Sequence, residues 1–156
     1  MSTGAISGSR TLHRLIYASR QQIAAADIDE AVDQIVRVSI RNNREAAITG
    51  LLLVHAGWFL QALEGPAEAV LTTYGRICND PRHAETKVLQ AGPAEGRLFG
   101  DWNMCARRMS PADDALLDAL AMRASFEPNL LGPRAALRLL QAVRDIQTRT
   151  QIQALR

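Results

Sequence analysis

Apolar positions in this chain fall into two patterns, one dense and one periodic. Ile48 to Val54 and Trp58 to Glu64 are dense runs of branched and aromatic residues, separated only by His55-Ala56-Gly57. That arrangement predicts two strands joined by a tight hairpin. Leu12 to Ser19 has a similar composition and predicts an earlier strand. Between them, Ile28, Val32, Ile35, Ser39 and Ile40 recur at helical spacing behind Asp27 and Glu30, a pair that resembles a capping box. This helix is expected to stop near Asn42-Asn43. A second helix is expected from Gly65-Pro66, with Val70, Leu71, Tyr74 and Ile77 on its buried side and Asn79-Asp80-Pro81 ending it.

Further strands are expected at Lys87 to Ala91 and at Asp101 to Arg108. The order is then β-α-β-β-α-β with an added fifth strand: an α+β, ferredoxin-like pattern with two helices on one face of a mostly antiparallel sheet. Ser110-Pro111 opens a third helix running to about Arg123, and a fourth begins near Pro133 with Leu137, Leu140, Val143 and Ile146. These two helices form a C-terminal extension whose apolar stripes suit either the open face of the sheet or a partner. The expected division is a flexible leader at 1–11, a ligand-binding domain at 12–108 and a helical extension at 109–156.

Composition narrows the function mainly by exclusion. A hydrophobic share of 47% suits a globular fold, and a formal charge of +2 gives no default attraction to nucleic acid. Cys78 and Cys105 match neither a disulfide framework nor a zinc site, and His13, His55 and His83 are too scattered for a metal cluster. No apolar run approaches the roughly 20 residues that span a bilayer. Met1 to Thr11 is rich in Ser and Gly and has no apolar core of a signal peptide, so a soluble cytoplasmic protein is expected.

Gln61 is the residue that breaks the pattern. It interrupts an apolar strand, where burying its amide costs a few kcal/mol unless partners are supplied. Period-two alternation puts Phe59, Gln61 and Leu63 on one face, and Leu15, Tyr17 and Ser19 on one face of the first strand. The first and third strands are neighbours in a ferredoxin-like sheet, so Tyr17 and Gln61 are expected to face each other beneath the helices. Asn43 overhangs the same space, and Trp102 and Met104 share a face of the fifth strand. A phenol, two amides, an indole and a thioether contain no nucleophile–base pair, carboxylate pair or phosphate loop. They suit a planar heterocycle whose own chemistry does the work.

Leu15-Ile16-Tyr17-Ala18-Ser19, Asn42-Asn43, Ile48-Thr49-Gly50-Leu51-Leu52, Phe59-Leu60-Gln61, Leu63-Glu64-Gly65-Pro66, Asp80-Pro81-Arg82-His83 and Asp101-Trp102-Asn103-Met104 together resemble the BLUF family, blue-light sensors using FAD. The resemblance runs in order over about residues 12 to 108, and the tail is similar to that of short, single-domain members. The stretch between Tyr17 and Asn43 is slightly longer than the usual spacing.

The resemblance implies a photoreceptor and not an enzyme. Tyr17 matches the photoactive tyrosine that gives an electron and a proton to the excited flavin. Gln61 matches the glutamine that bridges tyrosine and flavin and then rearranges its hydrogen bonds, giving a red-shifted state. Asn43 matches the asparagine at the ring edge, with Asn42 and Ser39 close by. Arg82 and His83 match positions near the flavin side chain and phosphates, and Trp102 and Met104 match the pair that reports the glutamine's state. The implied cofactor is FAD, with FMN as the other candidate. A downstream signalling protein and a homo-oligomer are the implied partners, with no nucleic acid, membrane or metal. Each residue alone has a plainer reading: a core tyrosine, an edge or bulge glutamine, a helix stop, core filler, a solvated loop. The rival function is a ferredoxin-like interaction module without flavin photochemistry.

Overall fold

The computed structural model describes residues 11–100, 105–109, 113–123 and 125–154. Its strands are β1 (Leu12–Gln21), β2 (Thr49–His55), β3 (Trp58–Pro66), β4 (His83–Pro93) and β5 (Cys105–Arg108). Its helices are α1 (Ile28–Ala46), α2 (Ala67–Cys78), α3 (Asp114–Ala119) and α4 (Pro133–Ala154). The five strands lie in the order β4-β1-β3-β2-β5. β1 pairs antiparallel with β3 and β4, and β2 antiparallel with β3, while β5 joins the edge parallel to β2. This is the ferredoxin-like arrangement with its added fifth strand.

Side-chain parity sorts the core into two layers. Leu15, Tyr17, Leu52, Phe59 and Leu63 pack beneath α1 and α2 with Ile28, Val32 and Val70. Ile16, Ala18, Leu51, Leu53, Leu60 and Ala62 point the other way, against Leu117 of α3 and Ala136, Leu139, Leu140 and Val143 of α4. The C-terminal helices therefore cover the second face of the sheet. Burial on both sides explains why β2 and β3 read as near-continuous apolar runs. Each fully buried leucine on that second face stabilises the fold by about 1.5–3 kcal/mol.

The hairpin forms as expected: His55 pairs with Trp58 across Ala56-Gly57, whose φ angles of 50° and 84° match a two-residue turn with both residues left-handed. Other boundaries differ from expectation. Asp27 makes no side-chain cap; a short 3-10 turn at Ala25–Asp27 leads into α1 instead. Asn42-Asn43 do not stop this helix, which runs on to Ala46. Ala47 then takes the left-handed cap conformation (φ 59°), and the Asn43 carbonyl accepts from Ile48 N at 2.8 Å. β3 passes so close beneath this end that a Cβ on Gly65 would lie 2.8 Å from the Ala47 carbonyl oxygen. β4 extends beyond 87–91 at both ends. α3 is much shorter than expected, because Ala121 turns left-handed (φ 56°) just after it. Ser110, Pro111 and residues 101–104 lie outside the described residues.

Candidate functional site

Tyr17 and Gln61 are direct partners in the β1–β3 register, on the face beneath α1 and α2. The Tyr17 hydroxyl donates a hydrogen bond to Gln61 Oε1, with Tyr17 fully buried and Gln61 4% exposed. Burial, reinforced by the nearby Tyr74, Cys78 and Asp80, pushes the Tyr17 pKa well above its usual value. Tyr17 is thus held as a protonated donor aimed at an amide oxygen. The Tyr74 ring lies against it at 5.4 Å between centroids.

A cavity of about 150 Å³ opens above this pair, between the two helices. From α1, turns one helical step apart bring Ile35, Ser39, Asn42 and Asn43 to its wall; Asn43 is buried. The other wall comes from the end of α2 and the following loop: Thr73, Arg76, Ile77, Asp80, Arg82 and His83. Leu52 and Leu63 complete an apolar lining between the amides.

The loop after α2 is built around Asp80, whose carboxylate accepts from Arg82 N, Nε and Nη2 at 2.6–3.1 Å. These hydrogen bonds hold the Asp80 pKa below its ordinary value. His83 turns back onto the sheet, its Nδ1 2.8 Å from Ser19 Oγ and its ring 4.5 Å from that of Phe59. Burial lowers its pKa to about 4, so the ring is neutral at pH 7.

All seven residues expected around the cofactor, Tyr17, Ser39, Asn42, Asn43, Gln61, Arg82 and His83, line this one cavity. Trp102 and Met104 lie outside the described residues. Two further residues go unmarked by the sequence pattern. Arg76 reaches the cavity because it lies three residues from Thr73 on one side of α2, a spacing visible in the sequence. Glu64 sits on the opposite face of β3, fully buried, where it takes hydrogen bonds from Arg14 and from the backbone N–H groups of Leu98 and Phe99. An acid inside an apolar run was its signal, as the amide was for Gln61.

The donor set fits a flavin. Asn43 and Gln61 offer amides able to donate and accept at the edge of a planar ring, with Leu52, Leu63 and Ile77 to flank its faces. Arg76 and Arg82 supply cations at the same cavity for a phosphate-bearing side chain. Among the described residues, no group of His, Cys, Asp and Glu forms a metal site, and no helix is long and apolar enough to cross a membrane.

The family model "Sensors of blue-light using FAD" (BLUF) matches residues 12–105. The blue light- and temperature-regulated antirepressor BluF of Escherichia coli (strain K12) is 36% identical over 107 residues, covering 67% of this chain and 26% of that protein. Photoactivated adenylate cyclase subunit beta of Euglena gracilis is 32% identical over 103 residues, 66% of this chain but 12% of the cyclase subunit. This chain therefore spans only a small part of those curated relatives. Among solved structures, the dark state of the BLUF protein BlrB superposes with a TM-score of 0.69 at 29% identity, covering 86% of this chain and 98% of BlrB. With the match running through β1 to β4 and up to the first residue of β5, the chain belongs to the BLUF family of blue-light sensors using FAD.

Proposed function

We propose that Tyr17 and Gln61 are the photoactive pair of this sensor, with Asn43, Asn42, Ser39, Arg82 and His83 holding the flavin. The buried hydrogen bond from Tyr17 to Gln61 Oε1 at the floor of the cavity carries this reading. When bound, the flavin supplies blue-light absorption and an excited state able to take an electron and a proton. Tyr17, protonated and buried, is the donor closest to Gln61 in register. Once its hydroxyl ceases to donate, the Gln61 amide loses one of the contacts that orient it and turns to a new set of hydrogen bonds. Asn43 fixes the ring edge, while His83, pinned by Ser19, closes the cavity beside Tyr17.

FAD is the proposed cofactor, supported by the family description and by the two arginines at the cavity. The division into a flavin domain at 12–108 and a helical extension at 109–156 belongs to the same reading. So do a relay through Trp102 and Met104, a downstream protein partner, self-association and a cytoplasmic site of action. The flavin domain acts in this reading as a sensor rather than as an enzyme.

The test is the light-minus-dark absorption spectrum of the purified chain, with extraction of its flavin. A reversible red shift and extracted FAD are expected. Asn43→Ala should retain roughly tenfold less flavin, the effect of losing one or two hydrogen bonds to the ring. Extracted FMN would correct the cofactor, and a flavin-loaded chain without any shift would sink the photochemical assignment.

A further inference from the structure

The segment between β4 and β5 is gripped on one face of the sheet, between the strands and α4. Glu64 of β3 accepts from Leu98 N at 2.9 Å and Phe99 N at 2.8 Å, and is paired with Arg14 Nε at 2.8 Å. Arg14, its register partner on β1, also donates to the Gly96 carbonyl at 2.9 Å. Arg97 ties the same segment to the Glu64 and Ala47 carbonyls at 3.0 and 2.7 Å. From the other side, Arg144 of α4 donates Nη1 to the Leu98 carbonyl at 2.8 Å, with its guanidinium 6.0 Å from the buried Phe99 ring.

The two grips meet on one peptide group. The Leu98 C=O and the Phe99 N–H belong to the same planar unit and point in opposite directions. One end is bound by α4 and the other by β3, both through charge-assisted hydrogen bonds, the stronger kind. Glu64 is three residues along β3 from Gln61, roughly 10 Å. Arg14 is likewise three residues from Tyr17 on β1. The strand pair that carries the photoactive contact therefore also carries this clamp.

We propose that the Leu98–Phe99 peptide, held between Glu64 and Arg144, is a mechanical link from β3 to the C-terminal helix α4, and that Arg144 is the positioning residue through which α4 follows the light state. The link rests on the photochemical reading above and adds a route to the extension that does not need the side chains of residues 101–104. A movement of β3 against β1 shifts the carboxylate, and the rigid peptide hands that shift to the guanidinium. Packing alone would let α4 slide over the apolar face, because apolar contacts are non-directional. The hydrogen bond to Leu98 gives the contact a direction.

The test compares amide hydrogen exchange of residues 133–149 in dark and light for the flavin-loaded full chain. Wild type should show a light-dependent change there. Arg144→Ala should keep the spectral shift but reduce the exchange difference at least fivefold. Arg144→Lys, still able to donate to the Leu98 carbonyl, should restore half or more. Asp145→Ala, which removes only the neighbouring ion pair of Arg144, should behave as wild type. An undiminished difference in Arg144→Ala overturns the link, as does a normal spectral shift with no change in α4 in wild type. Loss of the spectral shift in wild type would instead overturn the reading beneath it, and the link with it.

Discussion

The two faces of β3 bury one polar residue each, and they treat them in opposite ways. On the face beneath α1 and α2 Gln61 meets a tyrosine hydroxyl at the edge of a cavity. On the face covered by α3 and α4, Glu64 is saturated by an arginine and two backbone N–H groups. Both residues are buried and both interrupt an apolar run. The surroundings separate them: Gln61 has room and a partner that can change its protonation, while Glu64 has neither. Burial of a polar group thus marks a position as specified, and the adjoining space decides whether it specifies a fold or a switch.

The largest expected effect lies on the fixed side. Glu64→Gln removes the charge that compensates Arg14, whose side chain is only 12% exposed. Breaking one partner of a buried ion pair costs about 3–5 kcal/mol. We expect a loss of about 3 kcal/mol in urea denaturation, with the segment at 96–100 losing exchange protection. A loss below about 1 kcal/mol would mean that Glu64 is no more fixed than Gln61.

The cavity side should instead show its charge state. His83 accepts a proton only near pH 4 when folded, against an ordinary value of 6.5. The unfolded chain therefore binds the proton first, and stability falls as pH drops from 6.5 to 4. The contribution is fully present above 6.5. With part of the ring in contact with solvent, its size is about 2 kcal/mol. Denaturation midpoints across this range should show the slope, and His83→Gln should flatten it.

Much of this contrast was legible in the sequence. The Tyr17–Gln61 contact follows from period-two alternation plus the adjacency of β1 and β3, and Ser39, Asn42 and Asn43 reach the cavity through helical spacing. The Glu64 clamp was not legible, because two of its donors are backbone N–H groups, which no residue type announces, and Phe99 lies 35 residues further along the chain. The end of α1 escaped for a related reason. Ala47 adopts a left-handed cap without glycine or asparagine to signal it. Arg76 was hidden by its ordinariness, an arginine in the last turn of a helix.

Tyr17→Phe is expected to cost about 1 kcal/mol, the net worth of one hydrogen bond, because the ring still packs against Tyr74. Flavin should remain bound while the red shift disappears. A normal reversible shift in this variant would remove Tyr17 from the photochemistry whatever its effect on stability.

The smallest effect on stability should come from removing the switch entirely. Gln61→Leu alone leaves the Tyr17 hydroxyl buried without its acceptor, a cost that the gain in apolar surface only partly offsets. In the double variant Tyr17→Phe/Gln61→Leu the donor and acceptor of this hydrogen bond leave together, so neither is orphaned by the loss of the other. We expect denaturation of the flavin-free double variant within about 0.5 kcal/mol of wild type, measured alongside each single variant so that the coupling is read directly. The red shift should be absent in all three. A double variant destabilised by several kcal/mol would place Gln61 beside Glu64 as a structural residue, and the contrast between the two faces would fail.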